Sequence, residues 1–361
     1  MTSRDRVLLT ISHQVPDRIP VDFWASCGFI GKLEAALGTS YAEFVDAQEV
    51  DLRYLPGPRY IGPPLVNAAG EAVDLWGVPR TLSEVQLAGG VERYEEVTRP
   101  PLARAGSVEE VLAHPYWPSP DWYDYSVLAG QAEAVHSQGR ATAFMGDRLN
   151  RIAQLKPAMY VRGVEQILVD MAVAPEIAAA IFGKIRAFYL GYLEHILEAA
   201  GGRIDLVVTG DDFGAQDGPL VSPPMWDTFL REGFRAYVAL AHSYGVKVMH
   251  HTCGSVRALI PRLIESGLDV LQSLQPEAAH MAPAELKAEF GDRLAFQGGV
   301  SIQRTIPFGT REEIRAEVRA LAEALARGGG YIFGTSHNLQ ADVPVENALA
   351  LLEAYREFGG Y

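Results

Sequence analysis

The sequence predicts an α/β fold, a closed (β/α)8 barrel of the TIM type, from three observations. In the C-terminal half, strand patterns alternate with helical patterns five times, and such alternation demands a parallel sheet with helices outside it. A length of 361 residues is ordinary for one barrel of this kind. No glycine-rich dinucleotide fingerprint follows a strand, which favours a closed barrel over an open doubly wound sheet. No linker with a shift of composition divides the chain, so residues 1–361 are read as a single barrel domain. An N-terminal β-ribbon or loop excursion interrupts it.

Residues 1–18 read as a short helix and a turn closed by Pro16 and Asp17. Arg18–Trp24 (RIPVDFW) reads as a strand ending in the small residues Ala25, Ser26, Cys27 and Gly28. Asp51–Leu55 is a second short strand. From there to about residue 100, Gly and Pro are frequent, and EAVDLWGVPR (71–80) and VERYEEV (91–97) suggest the β-ribbon. HPYWPSPDWYDY (114–125) is a stiff aromatic loop. ATAFMGD (141–147) then looks like a strand with its polar end at Asp147. Ile177, Ile181, Ile185, Phe188, Tyr192 and Ile196 mark a long amphipathic helix after Pro175. DLVVTGDD (205–212) is a buried strand, and Trp226 to Val238 marks the next helix. VKVMHH (246–251) is a strand, followed by helical spacing from Val256 to Ile264 with Gly267 beyond it as a C-cap. DVLQSLQP, RLAFQGG and YIFGTSHN supply further strands. Thr310 and Glu313 form a capping box, and Pro344 opens the last helix.

A net charge of −14 repels phosphate backbones and argues against a nucleic-acid partner. Two cysteines, Cys27 and Cys253, are too few for a disulfide framework and fit a reducing compartment. The N-terminus is charged and broken by prolines, unlike a signal peptide. No apolar run approaches the ~18 residues of a membrane span. The expectation is a soluble cytoplasmic protein with no membrane partner. A homodimer is compatible with the sequence.

Chemistry in such a barrel collects at the carboxyl ends of the strands. The residues expected there are Cys27 and Gly28, Asp147, Asp211 and Asp212, His251 and Cys253, Gln272, Gln275 and Gln297, then His337 and Asn338. His251-x-Cys253 on a turning backbone is a half-site for Zn²⁺, whose usual ligands are imidazole and thiolate. The competing reading is a core histidine beside a small buried cysteine. Asp211 and Asp212 are adjacent, so a strand sends them to opposite faces; one enters the pocket and the other caps a helix or pairs with a cation. Trp24, Tyr54 and Phe213 are the expected apolar walls.

These motifs, with PDRIPV (16–21), DLWGVPR (74–80), GDDFGAQDGPLVSP (210–223), HHTCG (250–254), LKAEFGDRLAFQGGVSIQ (286–303) and GGGYIFGTSHNLQADVPVEN (328–347), give the chain its resemblance. It resembles the uroporphyrinogen decarboxylase superfamily, and within it the corrinoid-dependent zinc methyltransferase branch that includes methylcobamide:coenzyme M methyltransferases. The resemblance implies a (β/α)8 barrel. True decarboxylases of the superfamily are metal-free and carry arginines after the first strand to clamp a polycarboxylate. Here that segment, ASCGFIGKLEAALG (25–38), has one lysine and no arginine. His251-x-Cys253 matches the zinc motif of the methyltransferases, but His337 stands where that branch usually places a second cysteine. Zinc is then held by His251, Cys253 and His337, or Cys27 swings in, or no zinc binds.

The resemblance thus implies a zinc-dependent methyltransferase that moves a methyl group between a small methyl donor or acceptor and a corrinoid carried by a partner protein. In that reading Asp211 or Asp212, acting with His337, orients a ligand or completes the metal site. Two rivals remain: a metal-free decarboxylase in which Asp22, Asp211 or Asp212 stabilises a protonated ring and His337 contacts substrate, and a non-catalytic corrinoid or tetrapyrrole carrier.

Overall fold

The computed structural model describes residues 1–87, 89–146 and 151–361. Among them the strands are, in chain order, β1 (Leu52–Tyr54), β2 (Arg59–Tyr60), β3 (Arg80–Leu87), β4 (Gly90–Val97), β5 (Tyr123–Asp124), β6 (Ala141–Phe144), β7 (Leu206–Gly210), β8 (Lys247–His251), β9 (Val270–Leu274), β10 (Ala295–Val300) and β11 (Tyr331–Thr335). Seven of them form one parallel sheet in the order β1-β6-β7-β8-β9-β10-β11. The antiparallel pairs β2–β5 and β3–β4 stand outside it, and the β3–β4 hairpin is the ribbon excursion expected from sequence.

The ring closes through the chain around Val21. Phe333 of β11 donates its amide to the carbonyl of Pro20 and accepts from the amide of Asp22, both at 2.8 Å. On the other side, Asp51 donates to the carbonyl of Val21 at 2.9 Å, just ahead of β1. Sequence patterning reads Arg18–Trp24 as a regular strand, but the structure reduces it to isolated bridges such as Val21 with Phe333. Pro20 has no N–H to give, so a full ladder cannot form there.

Alternation along the parallel strands sorts side chains into two compartments. Leu206 and Val208 of β7, Met249 of β8, Val270, Ala295 and Ile332 point inward, with Val7 and Ile11 of the Ser3–Ile11 helix as a plug. The residues between them, such as Val207 and Val248, face the helical layer, where Ile181, Ile185, Tyr189 and Tyr237 pack. Above the apolar floor the inward positions turn polar: Asp22, Gln272, Gln297 and His251, all buried. That change of character makes the carboxyl ends of the strands the candidate site.

Two helical expectations are adjusted. The apolar run from Trp226 to Val238 forms two helices, Pro223–Phe229 and Arg231–Ser243, meeting at Leu230. The helix after β8 begins at Ile260 rather than Val256, because Pro261 fits only the first turn. Asp147 lies outside the described residues. Among those described, no helix is long and apolar enough to cross a membrane.

Candidate metal centre

β8 ends in two histidines, and the strand period sends them to opposite sides of the barrel wall. His250 faces outward, stacked on Phe213 with ring centroids 5.1 Å apart, with its Nδ1 2.8 Å from the Thr209 hydroxyl. Burial pushes its pKa down to about 3. His251 faces inward at the barrel mouth and is equally buried.

The turn after β8 is pinned by its neighbours. The Thr252 amide donates to the Gln272 carbonyl at 2.8 Å, and the Gly254 amide to Gln275 Oε1 at 2.9 Å. The Thr252 hydroxyl accepts from the Phe213 amide, and the Ser255 amide donates to the Ala215 carbonyl at 2.7 Å. Gly254 has φ +80°, and a Cβ there would meet the Gly214 backbone at 2.5 Å, so both conformation and close approach require glycine. This holds Cys253 beside His251.

His337 comes from the turn after β11 and completes a triangle. One ligand atom from each of His251, Cys253 and His337 lies within 4.8 Å of the others. The His251 Nε2 to Cys253 Sγ distance is 3.6 Å. Zn–N bonds of about 2.0 Å and a Zn–S bond of about 2.3 Å at a tetrahedral angle put those atoms about 3.5 Å apart, so the pair fits one zinc ion. Asn338 Oδ1 bonds His337 Nδ1, leaving Nε2 as the ligand atom. The Trp24 ring packs against both histidines, 5.5 Å from His251 and 5.2 Å from His337. Burial pushes the Cys253 thiol up to about 12 and lowers both imidazoles, so neutral histidines are set to coordinate.

The two aspartates part company. Asp211 is buried and accepts from the amides of Gln154, Leu155 and Lys156 at 2.6, 3.1 and 2.7 Å, capping the Leu155–Arg162 helix. Burial pushes its pKa up to about 6, against the pull of those three donors. Asp212 turns toward the triangle: Oδ2 receives the Lys156 ammonium at 2.6 Å, and Oδ1 lies 3.3 Å from the Cys253 amide and 3.9 Å from His251 Nε2. Burial opposes its ionisation, but the Lys156 ammonium and the Cys253 amide outweigh that and hold its pKa below the usual carboxylate range.

A cavity of about 630 Å³ opens over the triangle. Trp24, Tyr160, Tyr189 and Met145 line it, with β4 residues from Val91 to Glu95 as one wall. Buried Glu92 ties that wall down, accepting from the Ser26 hydroxyl and from the Ala341 amide. Cys27 opens the Cys27–Leu37 helix at the rim, exposed and apart from the triangle. Two expected walls are corrected: Phe213 is buried against His250 and Trp226, and Tyr54 sits lower in the barrel with its hydroxyl on Asp22 at 2.7 Å. Gln297 also reaches Asp22, and Gln272 is buried beside Tyr54. Sequence reading missed Arg80, Arg151, Lys156 and Tyr160, which all face the cavity. They follow no strand-end pattern, and the one available sign was the glycine at 210, over which Arg151 lies.

Comparison with known proteins bears on this geometry. Among curated relatives, the uroporphyrinogen decarboxylase of Vibrio vulnificus is 36% identical over 75 residues, 20% of this chain and 21% of that protein. The methylcobamide:CoM methyltransferase MtaA of Methanosarcina barkeri is 27% identical over 169 residues, 47% of this chain and 45% of that one. The chain thus spans from about a fifth to about half of the length of the curated relatives it matches. A solved structure described as a methyltransferase from Methanosarcina mazei superposes with a TM-score of 0.70 at 17% identity, covering 99% of both chains, and shares the barrel fold. A family profile described as uroporphyrinogen decarboxylase (URO-D) matches residues 153–358, more than half of the sequence, and the chain belongs to that family.

Proposed function

We propose that the protein is a methyltransferase that moves a methyl group from a small methyl ether to the cobalt of a corrinoid carried by a partner protein. The observation that carries this reading is the convergence of His251, Cys253 and His337 at the barrel mouth, a donor set suited to Zn²⁺. When bound, Zn²⁺ supplies Lewis acidity toward the heteroatom bearing the methyl group, and two neutral imidazoles with one thiolate leave it stronger than one imidazole with two thiolates would. That favours release of an alkoxide over activation of a thiol. Asp212 steadies the turn through the Cys253 amide and keeps Lys156 charged at the cavity wall. There the ammonium meets the negative charge that develops on the departing oxygen. Trp24 excludes water from the histidine pair.

The competing reading, a metal-free decarboxylase, draws on the identity to the Vibrio protein, and zinc content separates the two. Freshly purified protein is expected to carry close to one zinc per chain, and Cys253→Ser to lose most of it. Reduced corrinoid supplied with methoxylated compounds should become methylated, whereas methylcobalamin with thiols should not turn over. Wild-type protein that holds no zinc and takes none up would favour the decarboxylase, and turnover only with thiols would reverse the direction.

A further inference from the structure

Among the described residues four cationic side chains face the cavity, and three already have a carboxylate. Arg80 pairs with Asp74 at 2.7 Å, Arg93 with Glu84 at 2.8 Å and Lys156 with Asp212 at 2.6 Å. Arg151 makes no ion pair among the described residues. Its Nη2 rests 3.2 Å from the Met145 sulfur, its guanidinium lies 5.5 Å from the centre of the Trp24 ring, and its Nε is shut off from solvent without a hydrogen-bond partner among the described residues. Burial pushes its pKa down, against the pull of the Asp212 carboxylate, with which it makes no ion pair.

The chain makes room for this arrangement. A Cβ on Gly210 would come within 2.3 Å of Arg151 Cδ. Gly210 has no positive φ that would call for glycine, so the missing side chain is explained by the arginine lying across the end of β7. A desolvated charge is costly unless something pairs with it. The Trp24 ring packs on both histidines and lies beside the Arg151 guanidinium, so one aromatic wall borders the cation and the candidate metal triangle alike.

We infer that Arg151 anchors a carboxylate of the substrate, which makes the methyl donor a small methoxylated acid rather than a neutral ether. The substrate class rests on the methyltransferase reading; the anion site does not. A planar guanidinium fork matches a carboxylate in two parallel hydrogen bonds. A doubly charged phosphate would call for a second uncommitted cation, and Arg80, Arg93 and Lys156 each already face an acid.

The test is calorimetric titration with 4-methoxybenzoate and methoxyacetate, each against its neutral amide. At least one acid should bind wild-type protein ten-fold or more tightly than its amide. Arg151→Gln should abolish that preference, and Gly210→Ala should diminish it with the arginine still in the chain. Acids that bind no better than amides, or that do not bind, overturn the assignment, as does a preference that survives in either variant. Zinc content and corrinoid turnover measured on the same samples keep the two proposals apart. Acid binding by a zinc-free protein would sink the methyltransferase reading alone, and zinc-dependent turnover of neutral ethers without acid preference would sink this one alone.

Discussion

His250 and His251 are the same residue on adjacent positions of one strand, and they differ in everything that matters to chemistry. His250 lies in the helical layer between Phe213 and Phe234, with rings on two sides and a hydroxyl on its Nδ1. His251 faces the barrel mouth, 3.6 Å from a thiol and beside a second imidazole. Asp211 and Asp212 repeat the contrast at the end of β7, the first capping a helix and the second reaching the Cys253 turn. Which side of the wall a residue faces, rather than its type, decides whether it packs among the helices or opens on the cavity.

The strongest way to break this comparison is to remove the two histidines separately. His251→Ala is expected to lose most of the zinc while remaining folded. His250→Ala should keep the zinc and lower stability by about 3 kcal/mol, from the cavity left among aromatic rings and the lost hydrogen bond. Metal analysis beside urea denaturation reads both effects. Equal metal loss from the two variants would show that the wall does not separate them.

The aspartates give an effect of similar kind without a metal assay. Asp211→Ala strips the partner from three amides at a helix start, and should cost about 3 kcal/mol despite relieving the burial of a carboxyl group. Asp212→Ala should change stability by less than about 1 kcal/mol, since its side chain is one-third exposed and its partner Lys156 can turn to water. A reversed order, with Asp212 the costlier loss, would mean that the cap is not what holds the Leu155–Arg162 helix.

How much of this was legible beforehand follows from the range of each contact. The strand–helix alternation after residue 141, the Thr310 capping box and the His-x-Cys turn are local patterns and could be read directly. So could the split of Asp211 from Asp212, which needs only the strand period. What could not be read depends on distant chain. Phe213 looks like a pocket wall until the outward face of β8 claims it. Pro20 breaks a strand whose apolar pattern is otherwise convincing, and bridges replace the ladder. Arg151 and Lys156 have no periodic signature at all; their meaning comes from a glycine about sixty residues later and an aspartate at the end of β7.

Asp22 offers the finest test, because it asks what the inward face costs when no metal is involved. It sits under the mouth with Tyr54 and Gln297 on Oδ2, at 2.7 and 3.1 Å, and its Oδ1 is shut off from solvent. Burial pushes its pKa from the ordinary 3.8 up to about 6, more than those hydrogen bonds restore. Below about pH 4 the group is protonated in folded and unfolded chains alike, and it costs nothing. Between about pH 4 and 6 the unfolded chain releases the proton while the folded chain keeps it, so stability falls as pH rises. Above about pH 6 the full penalty remains, up to about 3 kcal/mol for a shift of roughly two units. Asp22→Asn removes that titration and can still accept from the Tyr54 hydroxyl. The variant should therefore match wild type near pH 4 and exceed it at pH 7.5, in denaturation curves recorded at both values. Comparing variant with wild type cancels the contribution of Asp211, which burial raises in the same way. An Asn variant weaker than wild type at pH 7.5 would mean that the inward face stabilises the carboxylate, through polar neighbours such as Gln272 and bound water, and that its ionisable groups are held there without cost.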